Sequence, residues 1–498
     1  MTRIVERLWV PTAILVFIPL YLYARLFSFS GVPYLSPGGG DQTFFWQYAL
    51  RMLHGERPYR DFFQFTPPGL DLYFLALFRL FGVRLWVVNF AAVMLGIALS
   101  ATSFALATRF MRRNDAVLTA LLYIVFVYGG HLDVTHHWFS LIAALAAAGV
   151  LMPARTDARA SLAGLLLGVA AFFTQTAGIA TAIALLLAIA WERAYGKPWG
   201  AILRQQEILL LAFIVSWFAL SAPFIANAGW RRVWYFQVIY AQRYVDVHRG
   251  FLVPVFRWNW SRPLLQRLFL YLLLLLIYPW VLWNRWCRRH EMQSEKDMPL
   301  VLLAMTGLSL LLGVITRTNW TRLYGVSMPA VILLMWAFAG LSYRHRRWLR
   351  ASMWIVLLFF AAAQIRSPRH HDLKVTDLPA GTAAVSPEEA EEFVWLARHT
   401  KPGDNFLQAL WPGIYLPLDL RSPLFLESLR PERLPPEYVA LSVQQAQESE
   451  VKYILWSPWL NISPQASTDN LQPFRDFMIA HYKPVHVFSN GDEIWQRL

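Results

Sequence analysis

Apolar runs close to the roughly 20-residue length of a membrane-crossing helix recur from residue 9 to residue 365. By that criterion they predict about eleven helices, near 9–29, 85–108, 115–130, 137–153, 160–174, 177–192, 206–226, 264–284, 298–316, 324–342 and 350–365. The first run follows Arg3 and Arg7 and is too long for the core of a secretory signal, so it reads as a retained helix. Two shorter patterns fall between the first two spans. In 42–53, Phe44, Phe45, Tyr48, Ala49, Met52 and Leu53 share one helical face, and Gln47, Arg51 and His54 share the other. Residues 68–83 are apolar but short, carry Asp71 and Arg79, and open with Pro68, which suits a first helical turn. Both patterns read as helices lying in the membrane interface.

After Gln364 the long apolar runs stop. SPEEAEEFVWLARHT predicts a helix, with Ser386 as cap, Pro387 in the first turn and Glu388, Glu389, Glu391 and Glu392 toward its positive end. FLQALW and VKYILWS read as strands, and HYKPVHVFSNGDEIWQRL as a strand, turn and strand. The expected fold class is a polytopic α-helical membrane protein with a small C-terminal extracytoplasmic α/β domain. The expected division is 1–365 and 366–498, with 30–84 as the first external loop.

Composition agrees. Of 498 residues, 57% are hydrophobic and 15% charged, against about 25% charged in a soluble protein. The net charge of +14 reads as topology rather than nucleic-acid binding. With the N-terminus inside, the inside loops carry Arg109, Arg112 and Arg113; Arg155 and Arg159; Arg193, Lys197 and Arg204; Arg285, Arg288, Arg289 and Lys296; and Arg344, Arg346, Arg347 and Arg350. Every inside loop is then basic, as the positive-inside rule requires. Were 68–83 to span, that pattern would invert. The single cysteine, Cys287, excludes an intramolecular disulfide.

Candidate chemistry gathers in the outside loops. Asp41 follows Gly38, Gly39 and Gly40, which permit close backbone approach to a ligand. Asp41 reads either as a catalytic acid or base or as a helix cap. Asp61 has Tyr59 and Arg60 before it and Arg57 nearby, and reads as a substrate contact or a local ion pair. The segment HLDVTHH brings His131, Asp133, His136 and His137 within seven residues, as metal ligands or as solvated helix-end groups. A divalent cation, Mg or Mn, held by Asp133 and His137, is the cofactor this allows. Arg317 and Arg322, beside Tyr324, stand against the charge bias of an outside loop. Guanidinium pairs grip phosphate through charge-assisted bonds.

Asp41-Gln42, Tyr48-Ala49, Gly55, Pro58-Tyr59, Asp61, Pro67-Pro68-Gly69 and Leu80-Phe81-Gly82, with Asp133 in the second external loop, resemble the GT-C glycosyltransferases. The chain is most similar to bacterial relatives of the protein O-mannosyltransferases and of the lipid A aminoarabinose transferase. The resemblance implies sugar transfer from a polyprenyl-phosphate donor to a lipid, glycan or protein acceptor. It implies the outer face of the bacterial cytoplasmic membrane, among membrane lipids, with inversion and with Asp41 as general base. The chain departs from those relatives in two places. Gln42 stands where many protein mannosyltransferases have Glu, and Phe65 and Thr66 stand where the aminoarabinose branch has an acid and a base. A transporter or flippase of lipid-linked saccharides, or a binder without catalysis, is the competing class. The near absence of charge within the spans and of repeats favours the enzyme.

Overall fold

The computed structural model describes residues 12–35, 40–242, 262–289, 294–314, 320–366, 372–431, 434–461 and 469–498. Helices occupy each of the expected long segments: Ile18–Leu26 continuing a π turn at Ala13–Phe17, Leu85–Ala107, Arg113–Phe126, His136–Leu151, Asp157–Phe173, Gln175–Trp191, Trp199–Ala228, Arg262–Cys287, Ser294–Val314, Met328–Ala339 and Tyr343–Ile365. Among the described residues, five stretches are long and apolar enough to cross a membrane: Leu85–Ala107, Gln175–Tyr195, Trp199–Ala228, Lys296–Val314 and Tyr343–Ile365. The protein is a multi-pass membrane protein. Ile14–Leu26, His136–Leu151 and Met328–Ala339 are apolar but shorter.

The chain packs as two compact units. The first comprises Met1–Arg25, Ala92–Pro223 and Arg249–Arg366. Its helices meet through small residues. Gly164 and Gly168 form a Gly-x-x-x-Gly stripe, and a Cβ at Gly164 would lie 2.2 Å from the Leu209 carbonyl oxygen. Only glycine lets the Trp199–Ala228 helix come so close, the usual device where apolar burial cannot drive helix association. Charges at helix ends are paired: Arg155 donates to Glu192 at 2.6 Å, and Arg285 to Asp297 at 2.8 Å.

The second unit comprises Leu26–Ala91, Phe224–His248 and Ser367–Leu498. The C-terminal stretch Ser367–Leu498 belongs to the same unit as the first loop. It shares one apolar core with the first loop and with residues after Pro223: Tyr59 and Phe63, Val233, Phe236 and Tyr240, and Leu424, Phe425 and Trp456. Phe63 lies 5.1 Å from Phe236 and 6.3 Å from Phe425, ring centre to ring centre.

Within 372–498 the strands are β1 (Lys374–Thr376), β2 (Ala383–Val385), β3 (Leu407–Gln408), β4 (Tyr453–Trp456), β5 (Tyr482–Val487) and β6 (Glu493–Arg497). β1 and β2 pair antiparallel. The other four form a sheet of order β3-β4-β6-β5, in which only the β3–β4 pair is parallel. The helix Pro387–His399 begins with a reciprocal capping box between Ser386 and Glu389, so the charge pattern read from sequence acts as expected.

The two short patterns of the first loop are helices, Gln42–Leu53 and Gly69–Phe81. On the polar face of the first, Gln47 and Arg51 are buried, and the Arg51 guanidinium finds its partners within the protein, in Glu56, Glu427 and the Leu424 carbonyl.

Candidate functional site

Asp41 sits directly before the helix Gln42–Leu53, after Gly40, whose φ of +56° suits glycine. Its carboxylate is exposed and does not cap the helix. The Gly40 carbonyl instead accepts from the Thr43 hydroxyl at 3.0 Å. The Asp41 side chain makes no hydrogen bond with any described residue.

The helix behind Asp41 is firmly held. Arg51, on its last turns, donates to the Leu424 carbonyl at 2.7 Å, to Glu56 at 2.7 Å and to the Asp61 carbonyl at 3.2 Å. It also forms an ion pair with Glu427. Burial pushes the Glu427 carboxyl above its ordinary value, while the Arg51 guanidinium pulls it back down. The Arg51 guanidinium lies 4.9 Å from the centre of the Phe62 ring, and Phe62 stacks on Tyr48 at 5.3 Å. One turn from Asp41, Phe44 meets the edge of Trp411 at 5.5 Å. The Arg430 guanidinium lies 4.0 Å over the Trp411 ring. Glu427, Trp411 and Arg430 were not among the expected site residues. They lie more than 350 positions from Asp41 in sequence, and no local pattern marks them.

Asp61 and Arg60 form a surface pair at 3.6 Å. Asp61 also accepts from the Arg57 backbone N–H at 2.8 Å. Tyr59 differs from expectation. It is fully buried, with φ of +66°; its hydroxyl donates to the Thr66 carbonyl at 2.7 Å and accepts from Gln237 at 2.7 Å. That hydroxyl is committed to the core rather than presented to a ligand.

Asp71 is a second buried acid, also outside the expected set. Gln64 donates to its Oδ2, while Asp71 Oδ1 and Gln64 Oε1 have no hydrogen-bond partner among the described residues. Burial pushes the Asp71 carboxyl up to about 8.

The remaining expected residues belong to the other unit. Asp133 Oδ1 accepts from the Trp138 indole at 3.0 Å. The His136 and His137 rings lie 4.0 Å apart. The helix Trp320–Gly325, which carries Arg322, packs on His136–Leu151 and brings Tyr324 to 4.8 Å from the His131 ring. The structure therefore joins Arg322 and Tyr324 to the 131–137 segment. Arg317 lies outside the described residues. Among the described residues no group of three or more His, Cys, Asp or Glu side chains is arranged to hold an ion.

No family profile matches the sequence, and no curated protein matches it. Solved structures do resemble the fold. ArnT from Cupriavidus metallidurans bound to undecaprenyl phosphate is 14% identical, with TM-score 0.60 over 98% of this chain and 97% of that one. The archaeal oligosaccharyltransferase AglB from Archaeoglobus fulgidus, in complex with an inhibitory peptide and a dolichol-phosphate, is 12% identical, with TM-score 0.56 over 99% of this chain and 75% of that one. The same oligosaccharyltransferase in complex with Zn and sulfate gives 13% identity and TM-score 0.54, over 97% of this chain and 73% of that one. These neighbours are GT-C glycosyltransferases, and the chain shares their fold.

Proposed function

We propose that the protein is a glycosyltransferase that moves a sugar from a polyprenyl-phosphate donor to a lipid, glycan or protein acceptor. It acts at the outer face of a bacterial cytoplasmic membrane, with the N-terminus inside and 366–498 outside. The observation that carries the reading is the Asp41 carboxylate: exposed, uncapped, and mounted on a helix that a buried ion pair immobilises. A base does its work only if its lone pairs are open and its position is fixed. Two solved structures with this fold hold polyprenyl phosphates, undecaprenyl phosphate in one and dolichol-phosphate in the other. That supports the donor class.

In the proposed reaction Asp41 accepts the proton of an acceptor hydroxyl. The freed oxygen attacks the anomeric carbon from the face opposite the phosphate. The new glycosidic bond forms as the bond from the anomeric carbon to the phosphate oxygen breaks, and the electron pair leaves with polyprenyl phosphate. One displacement inverts the anomeric centre. The transition state is oxocarbenium-like, and charge grows on the leaving phosphate. Candidates to bind that phosphate are Arg60 in one unit and Arg322 and Tyr324 in the other, with Arg317 a further candidate from the sequence. Asp61 pairs with Arg60, and Asp133 is a further candidate acid.

The test uses membranes containing the full-length protein, radiolabelled undecaprenyl-phosphate sugars and the endogenous acceptor pool. Asp41→Asn should slow transfer by at least about a hundredfold, the usual contribution of a general base, at unchanged protein abundance. Transfer at the parental rate by Asp41→Asn would remove Asp41 from the role.

A further inference from the structure

The helix Tyr343–Ile365 opens with Arg344, Arg346, Arg347 and Arg350 inside its first two turns and has no acid in its first turn. Cations are disfavoured there, because the helix dipole already places positive charge at that end. Arg344, Arg346 and Arg347 pair with no acid among the described residues. Arg350 pairs with the buried Asp115 at 2.5 Å, yet its Nε is buried without a hydrogen-bond partner. Arg346 donates to the Ala339 carbonyl at 3.3 Å, at the end of the helix Met328–Ala339.

These groups line a shallow hollow, open to the outside, between three helices of the first unit: Arg113–Phe126, Met328–Ala339 and Tyr343–Ile365. Arg346, Arg350 and Asp115 give the hollow a net charge of +1, and Leu118, Met335 and Ala339 supply apolar wall. Tyr343 and Trp348 are exposed beside it, as aromatic residues are at the headgroup level of a bilayer. Farther along the same helix Ile355 and Phe359 are exposed, as an acyl-chain surface would be. A cationic recess between helices, at the interface, above an apolar face, has the chemistry of a phospholipid headgroup site.

We infer that this recess binds an anionic phospholipid, its phosphate between Arg346 and Arg350 and its acyl chains along the exposed face of Tyr343–Ile365. The site is separate from the proposed glycosyl-transfer chemistry and does not depend on it. In the proposed orientation it lies at the inner leaflet. The phosphate balances the charge that Arg346 and Arg350 carry beyond that of Asp115, and it anchors this helix end in its membrane.

The test is native mass spectrometry of the purified full-length protein, titrated with phosphatidylglycerol or phosphatidylcholine. The protein should retain phosphatidylglycerol in preference to phosphatidylcholine. Arg346→Gln leaves the Arg350–Asp115 pair intact and should weaken phosphatidylglycerol binding about fivefold, the usual effect of one juxtamembrane cation. Ala339→Trp fills the hollow, keeps every charge and should weaken binding as well. Arg344→Gln, on an exposed residue outside the hollow, should weaken binding clearly less than Arg346→Gln, and a thermal melt of each variant confirms folding. The inference fails if phosphatidylglycerol holds no advantage, or if Arg344→Gln and Arg346→Gln act alike. It fails also if inorganic phosphate protects the protein from heat and phosphatidylglycerol does not, since the ligand would then be a free anion.

Discussion

Breaking the Arg51–Glu427 pair should be severe, and removing both partners should be milder. The Arg51 side chain is 5% exposed and that of Glu427 is 1% exposed, so the pair is desolvated on both sides. Arg51→Met leaves Glu427 buried without its cation and strips the Leu424 and Asp61 carbonyls of a donor. Removing one member of such a pair costs about 3–5 kcal/mol. For a unit of this size that lowers the melting temperature by roughly 6–20 °C, at about 2–4 °C per kcal/mol. The loss should also depend on pH. Without the guanidinium, burial alone governs Glu427, its carboxyl binds a proton more tightly than in the unfolded chain, and stability falls as pH rises above about 4. Arg51→Met should therefore lie nearer the parent at pH 5 than at pH 8. Arg51→Met/Glu427→Leu removes both charges and should recover much of the loss, with a coupling of at least about 1 kcal/mol. The assay is thermal unfolding of the purified protein, followed by tryptophan fluorescence across pH 5–8. A single-variant shift under about 2 °C, or a double variant equal to the sum of the singles, refutes the anchoring role.

Two further outcomes follow from the same geometry. Asp71 holds its proton to about pH 8 in the folded protein, whereas an unfolded aspartate loses it near 4. The wild type should therefore lose stability as pH rises between those values, by up to about 1.4 kcal/mol per unit. Asp71→Asn should flatten that slope, and parallel profiles in unfolding measured from pH 5 to 9 would count against a neutral Asp71. For topology, in a Cys287→Ser parent, cysteines at Asp41 and Asp133 should react with an impermeant maleimide added outside, and one at Met111 should not. Labelling of 111 but not 133 would invert the proposed orientation.

The long helices were legible because membrane spans are written in composition, and composition is local. The capping box at Ser386 and Glu389 was legible for the same reason. The burial of Gln47 and Arg51 was not, because helical spacing reports that a face is polar and not what meets it. Here Glu427 meets it, from a distant part of the chain. Tyr59 misled in the same way, since a tyrosine beside Arg60 and Asp61 reads as a ligand contact until Gln237 and Thr66 claim its hydroxyl. The Gly164–Gly168 stripe belongs to the fold rather than to the site. Asp133 is nominated by its place in the second external loop and by the histidines around it, whereas the Trp138 indole that donates to it carries no such signal.

The core that joins Phe63, Phe236 and Phe425 draws one ring from each of three distant stretches of chain. That arrangement sets an order of assembly. The stretch holding Phe63 leaves the ribosome on the order of tens of seconds before the one holding Phe425, at ordinary elongation rates. Through that interval its aromatic face has no partner, and the helices in between must be inserted before the partner arrives. A stop codon between Arg366 and Trp411 would leave Asp41 on a helix without Glu427 and Trp411 while sparing the apolar helices up to Ile365, so the setting of Asp41 is governed by residues made after those helices.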